Sequence, residues 1–231
     1  MSVSIVIPAL NEESSLRSLL PGLASDNHVV EVIVADGGSS DATPAIVTEF
    51  GAKLVQANQG RARQMNAGAA AATGNILFFL HADTELPTYA FQLIEDAIAN
   101  GALWGRFDLR LSSSHWLLRI VERMINWRSY LNGIATGDQG IFLRRDLFES
   151  LGGYADIPLM EDVELSKRLK RQARPCCIHQ PLITSSRRWE QFGILRTIVL
   201  MWQMRLAYFL GVSPESLARR YRRSGTAGQG R

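Results

Sequence analysis

The sequence predicts an α/β fold in which a mostly parallel sheet is flanked by helices. Strand-like and helix-like segments alternate over about the first hundred residues, which is the pattern of right-handed β–α–β units. Residues 77–80 are uniformly apolar, as expected of a strand buried on both faces. Polar clusters follow the apolar runs directly, so they should meet at the carboxyl edge of the sheet, where such folds bind ligands.

The first half of the chain is interpreted as four strands separated by three helices. The strands are predicted at residues 3–7, 29–35, 53–57 and 77–80. Leucines at helical spacing mark the first helix, namely Leu16, Leu19, Leu20 and Leu23. Asn11 can cap this helix, Thr43 and Pro44 open the second, and an alanine-rich helix over 60–72, stopped by Gly74, is the third.

The second half of the chain loses this regular alternation. The elements expected there are a half-exposed strand at 104–111, a helix at 115–130, a turn at 137–140, a strand at 141–143, a loop at 152–154, a helix at 160–172, an amphipathic helix at 190–210 and a last helix from Pro214. We therefore expect one α/β domain over 1–184, a helical appendage over 185–223 and a disordered tail over 224–231.

Charge is distributed unevenly although the net charge is only +3. Residues 1–100 hold 4 Lys/Arg and 11 Asp/Glu, whereas residues 101–231 hold 21 Lys/Arg, nearly all arginine, and 11 Asp/Glu. Arginine presents a planar fork to phosphates and carboxylates, so the second half is expected to meet something anionic. A phosphorylated substrate and a membrane surface rank above nucleic acid, because no nucleic-acid-binding motif is present.

A cytoplasmic protein is expected from three features of the sequence. The most apolar window, residues 192–212, is interrupted by Arg196, Gln203 and Arg205. The first residues lack the basic and apolar regions of a secretory signal. The only cysteines, Cys176 and Cys177, form neither a disulfide framework nor a metal-ligand spacing.

Carboxylates stand at three places where they could take part in chemistry. Asp83, after the fourth strand, could hold a divalent cation that in turn holds a diphosphate. Asp36, after the second strand, could accept hydrogen bonds from a nucleobase or a ribose. Glu161 and Asp162 open a helix, where one could act as a general base and the other as an acceptor contact. Taken singly, each is more simply a turn, cap or helix-dipole residue.

Arginine side chains could supply positive charge to a bound diphosphate, and an aromatic side chain could contact a sugar. The forks of Arg187 and Arg188 could clamp a diphosphate while Trp189 stacks under a sugar ring. Arg61 and Arg63 admit the same interpretation. All four arginines could equally belong to a solvated basic surface.

The order of the motifs along nearly the whole chain resembles the family 2 glycosyltransferases, which have the GT-A fold. The motifs are Pro8-x-x-Asn11-Glu12, the run from Asp36 to Asp41, Asn66-x-Gly68, His81-Ala-Asp83, Gly137-Asp138-Gln139, Glu161-Asp162 and Arg187-Arg188-Trp189. The resemblance implies a Rossmann-like nucleotide-diphospho-sugar transferase, with its nucleotide-binding half at 1–100 and its acceptor half at 101–184. It also implies a UDP-sugar donor, either UDP-GlcNAc or UDP-glucose, and transfer with inversion.

The resemblance also assigns roles to residues. The uridine pocket would be lined by Pro8, Asn11, Glu12 and Asp36, with Arg61, Arg63 and Asn66 nearby. The rest of the nucleotide-sugar site would comprise His81, Asp83, Asp138, Gln139, Arg187 and Trp189. Asp83 matches the second carboxylate of the family's metal-binding Asp-x-Asp, which implies Mg²⁺ or Mn²⁺. Asp162 matches the catalytic base, and Glu161 and Arg188 are further catalytic candidates.

Two departures from the family pattern narrow the expectation. His81 replaces the first Asp of Asp-x-Asp, so neither the ribose contact nor the metal dependence of the family follows directly for this chain. Ser185 stands where processive members carry Gln, which argues against a polymerising synthase. His-Ala-Asp, Gly-Asp-Gln-Gly and Ser-Ser-Arg-Arg-Trp-Glu together resemble the branch associated with arsenosugar biosynthesis, which includes selenosugar synthases of selenoneine pathways. That branch implies a small anionic acceptor, selenophosphate.

Three other functions are open at this point. A lipid-phosphate glycosyltransferase would dock its helix 190–210 on a membrane as a peripheral contact. A non-catalytic nucleotide-sugar sensor would bind UDP without turnover. A sugar-1-phosphate nucleotidyltransferase would need a Gly-x-Gly-x-Arg loop after the first strand, where Pro-Ala-Leu-Asn-Glu stands instead.

Overall fold

Eight strands form one sheet in the computed structural model, which describes residues 1–24, 26 and 28–226, with side chains left out at 24, 188 and 222–226. The strands are β1 (Val3–Ala9), β2 (Val29–Asp36), β3 (Lys53–Gln56), β4 (Ile76–Phe79), β5 (Thr84–Glu85), β6 (Trp104–Leu111), β7 (Ile141–Arg144) and β8 (Cys176–Thr184). Their order in the sheet is β3-β2-β1-β4-β7-β6-β8-β5.

The sheet is parallel in its first half and mixed in its second. Strands β3, β2, β1 and β4 are parallel neighbours, as the alternation of elements predicts. β7 runs antiparallel to both β4 and β6, while β6 and β8 are parallel to each other. The predicted α/β class is therefore confirmed, and the sheet is mixed.

Helices cover both faces of this sheet. They are α1 (Glu13–Ala24), α2 (Thr43–Glu49), α3 (Arg61–Ala70), α4 (Ala90–Ala99), α5 (Trp116–Asn132), α6 (Arg145–Ser150), α7 (Glu161–Gln172), α8 (Arg187–Phe192), α9 (Ile194–Phe209) and α10 (Pro214–Thr226). The core on one face includes side chains of α1, α2 and α4, and the core on the other includes side chains of α3, α6 and α7. A third, smaller cluster joins α7, α9 and α10.

Two predicted boundaries in the C-terminal region are corrected. The single helix expected over 190–210 is divided at Gly193, whose positive φ of 83° ends α8 before α9 begins. α10 continues to Thr226, past the predicted end at residue 223, and residues 227–231 lie outside the described part of the chain. None of the described helices has the length and hydropathy that a membrane crossing requires.

Elements that the sequence pattern did not predict also contribute to the fold. The largest is β8, which lies beside β6. Its burial does not alternate, because the register with β6 shifts between Phe107 and Asp108. The short helices α4 and α6 and the short strand β5 were likewise not predicted.

Candidate active site

A cavity of about 870 Å³ opens where the first and fourth strands end. Ten of the residues expected at the site line it, namely Pro8, Glu12, Arg61, Arg63, His81, Asp83, Asp138, Glu161, Asp162 and Trp189. They come from loops and helix ends separated by up to 180 residues of sequence. The predicted convergence at the carboxyl edge of the sheet is therefore observed.

Gln64 holds the strand ends beside the cavity in place. Its buried amide nitrogen donates hydrogen bonds to the carbonyl oxygens of Ala9, at 2.6 Å, and Ala35, at 2.9 Å. These two carbonyls belong to β1 and β2, so one side chain on α3 joins three elements. Sequence reasoning missed Gln64, because a glutamine next to an arginine in an alanine-rich helix looks like a surface residue.

Asn11 and Asp36, expected in the uridine pocket, make hydrogen bonds that hold the loops after β1 and β2: Asn11 joins the two loops, and Asp36 closes a turn within its own loop. Asn11 has a positive φ of 56°, and its side-chain oxygen accepts a 2.8 Å hydrogen bond from the amide of Ser40. Asp36 is buried and accepts hydrogen bonds from the amide and the hydroxyl of Ser39. Neither residue lines the cavity, so their contact with a uridine stays a prediction.

Asn66 and Gln139 also lie behind the cavity wall. The Asn66 amide makes two 2.8 Å hydrogen bonds with the backbone of Tyr154, one donated and one accepted. Gln139 is fully buried and accepts a 3.2 Å hydrogen bond from the amide of Thr136. Both fix loops that form the wall, and neither lines the cavity.

Asp162 is the best-anchored carboxylate in the cavity. One carboxylate oxygen accepts a 2.8 Å hydrogen bond from the amide of Gly137, and the other accepts a 2.7 Å bond from Val163. α7 begins directly after Met160, which has a positive φ of 69°, so Glu161 and Asp162 occupy its first turn. The positive end of the helix dipole favours carboxylates there.

Burial raises the pKa of both carboxyls in this pair. For Glu161 burial and the neighbouring Asp162 raise the pKa to about 7, against the opposing charge of Arg61. For Asp162 burial raises the pKa, although the amides of Gly137 and Val163 oppose the rise. Adjacent acids of this kind titrate as a pair, so a proton can be exchanged here near neutral pH.

His81 lies against the turn at Gly137 as a neutral imidazole. Burial, with the charge of Arg61 adding to it, lowers the pKa of His81 to about 3. A Cβ atom on Gly137 would lie 2.8 Å from Nε2 of His81, so only glycine lets the imidazole approach the turn this closely. A hydrogen-bonding group without charge therefore stands where the family pattern has its first Asp.

Asp83 and Asp138 are the oxygen ligands available to a divalent cation. Desolvation raises the pKa of Asp83, Asp138 raises it further, and Arg61 and Arg187 oppose the rise. One oxygen of Asp138 is buried without a hydrogen-bond partner. Within the described residues, no group of three or more His, Cys, Asp or Glu could hold a metal unaided. A cation held at Asp83 and Asp138 would therefore need ligand phosphates to complete its shell.

The predicted arginines behave differently from one another. Arg63 forms a 2.7 Å ion pair with Asp156 at the exposed rim. Arg61 lines the cavity, and Glu161, Asp162 and Asp83 raise its pKa even though burial lowers it. Arg187 is exposed, and its charge lowers the pKa of Asp83. The Arg188 side chain lies outside the described part of the chain, so its catalytic role stays a prediction.

Two arginines that sequence reasoning did not single out lie beside the carboxylates. Arg128, on α5, has two guanidinium nitrogens buried without a hydrogen-bond partner. Burial lowers its pKa to about 10, the charge of Arg205 adds to this, and Asp138 and Asp162 oppose it. Arg205, on α9, lines the cavity. The only sequence signal for them was the excess of arginine in the second half.

The chain matches the model of one protein family and several curated relatives. The family model is "Glycosyl transferase family 2", over residues 4–152. "Probable glycosyltransferase YdaM" of Bacillus subtilis is 26% identical over 90% of this chain and 54% of its own length. The undecaprenyl-phosphate 4-deoxy-4-formamido-L-arabinose transferase of Sodalis glossinidius is 31% identical over 62% of this chain and 48% of its own length. The chain thus spans about half the length of these relatives.

Similar solved structures have the same fold. Residues 1–349 of TarS from S. aureus superpose with a TM-score of 0.68 at 18% identity, covering 80% of this chain and 61% of that one. Glucosyl-3-phosphoglycerate synthase from Mycobacterium tuberculosis, solved with Mg²⁺ and UDP, gives a TM-score of 0.60 at 20% identity over 79% of this chain and 70% of that one. TarS has also been solved in complex with UDP-GlcNAc. The architecture is that of the GT-A glycosyltransferases.

Proposed function

This chain belongs to glycosyl transferase family 2, and on that premise we propose that it transfers a sugar from a UDP-sugar to an acceptor with inversion at the anomeric carbon. The observation that carries the proposal is the position of Asp162, which is anchored by Gly137 beside Glu161 and has a raised pKa. The complexes of TarS with UDP-GlcNAc and of glucosyl-3-phosphoglycerate synthase with UDP support a uridine nucleotide. UDP-GlcNAc and UDP-glucose are the donors to test first.

In the proposed reaction Asp162 takes the proton of the acceptor while the acceptor atom attacks C1 of the sugar. The bond from that atom to C1 forms as the bond from C1 to the phosphate oxygen breaks, and UDP leaves with the bonding electron pair. Attack from the side opposite the leaving group inverts C1. An acceptor that is already ionised needs no base, and Asp162 would then only position it.

Arginines and a cation would stabilise the charge that develops on UDP. Arg61 and Arg187 already act electrostatically on Asp83, which supports a diphosphate bound among them. Asp83 and Asp138 would hold Mg²⁺ or Mn²⁺, which when bound supplies positive charge to the leaving phosphates. The proposed contacts of Arg188 with the diphosphate and of Trp189 with the sugar complete the set.

The acceptor is proposed to be a small anion. Arg128 does not line the cavity, but two of its buried guanidinium nitrogens lack a hydrogen-bond partner, and Arg205, which lines the cavity, lies close enough to lower its pKa. Two like charges kept together beside the base at Asp162 favour an anion that would pair with both. Selenophosphate is the specific candidate, because the motifs resemble the arsenosugar and selenosugar branch.

A lipid phosphate is the second candidate acceptor. Helices α5 and α9, which carry Arg128 and Arg205, also expose large apolar side chains such as Trp127 and Trp202. The name of the Sodalis glossinidius relative specifies undecaprenyl phosphate for that protein. An anionic headgroup near the arginines and a lipid chain along the helices would be consistent with both observations.

The experiment that tests the proposal is UDP release from UDP-GlcNAc and UDP-glucose without an acceptor, with selenophosphate or with a polyprenyl phosphate, each with Mg²⁺ or EDTA. Release that depends on selenophosphate and stops in EDTA supports the small-anion acceptor and the cation at Asp83. Release that appears only with a polyprenyl phosphate supports the second candidate. Tight UDP binding without release under any condition would contradict the enzyme and indicate a nucleotide-sugar sensor.

A further inference from the structure

Helices α5 and α9 each carry a stripe of large apolar side chains that no other described part of the chain covers. On α9 the stripe consists of Leu195, Val199, Trp202, Leu206 and Phe209, each 54–81% exposed. On α5 it consists of Trp116, Ile120, Met124, Trp127 and Leu131, each 44–67% exposed. Spacings of three and four residues place each set along one side of its helix.

The fold does not need these stripes, because each helix already packs through its other side. On α9, Met204 is buried in the cluster that includes Met160, Val163 and Leu217. α5 buries Leu118 and Val121 instead. The two helices contact each other, so the stripes are carried by neighbouring elements. We call the exposed sides of these two helices the α5–α9 face. Apolar surface left exposed on this scale marks an interaction site.

The exposed charges on α5, α9 and α10 are mostly positive. Among the described side chains of these helices, four arginines and one acidic residue, Glu215, are exposed. Exposed arginines on these helices are Arg123, Arg196, Arg219 and Arg220. The stripes also contain three tryptophans, a residue that favours the boundary between lipid and water. We infer that the α5–α9 face docks on an anionic lipid bilayer.

A second copy of this chain fits the face less well than a bilayer does. A two-fold dimer through the α5–α9 face would set arginine against arginine. α9 offers no acidic residue to pair with them. The only one on α5, Glu122, is buried and bonded to Arg119 and to the amide of Leu111. Anionic lipid headgroups supply the negative charge that a second copy lacks.

Docking would place the cavity directly beside the headgroups. Met201, Met204 and Arg205 of α9 line the cavity, while Trp202 and Leu206 of the same helix belong to the stripe. Cavity wall and lipid-facing surface are thus two sides of one helix, about 10 Å across. The sequence indicated only residues 190–210 as a membrane contact, and the contribution of α5 comes from the structure.

Vesicle flotation tests this inference without relying on sugar transfer. The wild type is mixed with phosphatidylcholine vesicles, alone or containing phosphatidylglycerol, at low and high salt. We expect it to float with the anionic vesicles at low salt and to be released by high salt. Trp202→Glu and Trp127→Glu should each reduce the bound fraction, lowering the partition coefficient at least about tenfold. Val30→Glu, at an exposed position on β2, should float like the wild type.

The results can overturn docking and the proposed function separately. UDP titration of the same samples shows that the variants are folded and that the site is intact. No flotation by a wild type that binds UDP, or equal flotation with neutral vesicles, would contradict anionic docking. A wild-type dimer that Trp202→Glu converts to a monomer would assign the face to a second copy. Flotation with anionic vesicles but no UDP release with any acceptor would support docking and contradict the proposed sugar transfer.

Discussion

Two buried carboxyls in one helical turn set the acid–base properties of the site. Glu161 and Asp162 follow one another at the start of α7, so neither can ionise without affecting the other. Proteins retain such a costly arrangement mainly at functional sites. The sequence indicated both residues, but it could not show that the amide of Gly137 anchors Asp162 from a turn 25 residues away.

The raised pKa of Glu161 predicts a pH-dependent cost to stability. In the unfolded chain Glu161 titrates near 4.5, and in the folded protein near 7. Between these values the folded state holds a proton that the unfolded state has lost, so the free energy of unfolding falls as pH rises, by about 3 kcal/mol in all. Glu161→Gln removes this penalty, so its advantage in Tm over the wild type should grow from pH 4.5 to 7 and then level off.

Thermal melts of the wild type and Glu161→Gln between pH 4.5 and 7 measure this difference in Tm. Glu149→Gln, at an exposed position on α6, is the matched control and should follow the wild type. A Tm difference for Glu161→Gln that does not change with pH would show that Glu161 is not protonated in the folded protein.

Arg128 is predicted to act on the acceptor and not on the donor. Arg128→Gln should raise the acceptor KM at least about tenfold, because a charge-assisted hydrogen bond is worth about 1.5–3 kcal/mol. The Kd for UDP should change less than about twofold. Tm should not fall, because the variant removes a buried charge that has unpaired nitrogens.

Steady-state kinetics and UDP titration separate these effects. Arg110→Gln, at an exposed position on β6, is the control. If no acceptor supports turnover, the Kd for inorganic phosphate replaces KM. An unchanged acceptor constant together with a lower Tm would assign Arg128 a structural role only.

At the level of elements, the site depends on loops that are tied together behind the cavity. The sequence predicted which loops follow β1, β2 and β4, because apolar runs end abruptly at polar residues. It could not distinguish side chains that face the cavity from those that bind one loop to another. The polar side chains of Asp36 and Asn11 could have bound a ligand, but in the structure they accept hydrogen bonds from the backbone of the loop after β2.

A substitution at Gln64 tests whether hydrogen bonds behind the cavity hold the strand ends in place. Gln64→Leu keeps the size of the side chain but removes the hydrogen bonds that its amide donates to the carbonyls of Ala9 and Ala35, and the carbonyl of Ala9 keeps only the amide of Gly37. We expect a loss of about 1–3 kcal/mol in the free energy of unfolding, and a weaker Kd for UDP because the ends of β1 and β2 separate. Denaturant unfolding and UDP titration measure the two effects. Gln92→Leu, exposed on α4, should change neither, and wild-type behaviour of Gln64→Leu would contradict the account.

For the molecule as a whole, the uneven distribution of charge along the sequence does not carry over to the site. The acidic first half supplies Arg61 and Arg63 to the cavity as well as Glu12 and Asp83, and the arginine-rich second half supplies the carboxylate pair as well as Arg205. The alternating first half was predictable because parallel β–α–β units have strong local patterns. The second half was less so, because β8 joins the sheet through a shifted register and Gly193 divides the last long helix.

The central claim is that Asp162 serves as the base of a UDP-sugar transferase. The most direct measurement compares UDP release by the wild type and Asp162→Asn, using a hydroxyl acceptor that supports turnover and a parallel UDP titration. The account predicts that kcat falls by about 10²–10⁴-fold while the Kd for UDP stays nearly constant, since general-base catalysis contributes on that order. Equal kcat in the two proteins with a hydroxyl acceptor would show that the base lies elsewhere.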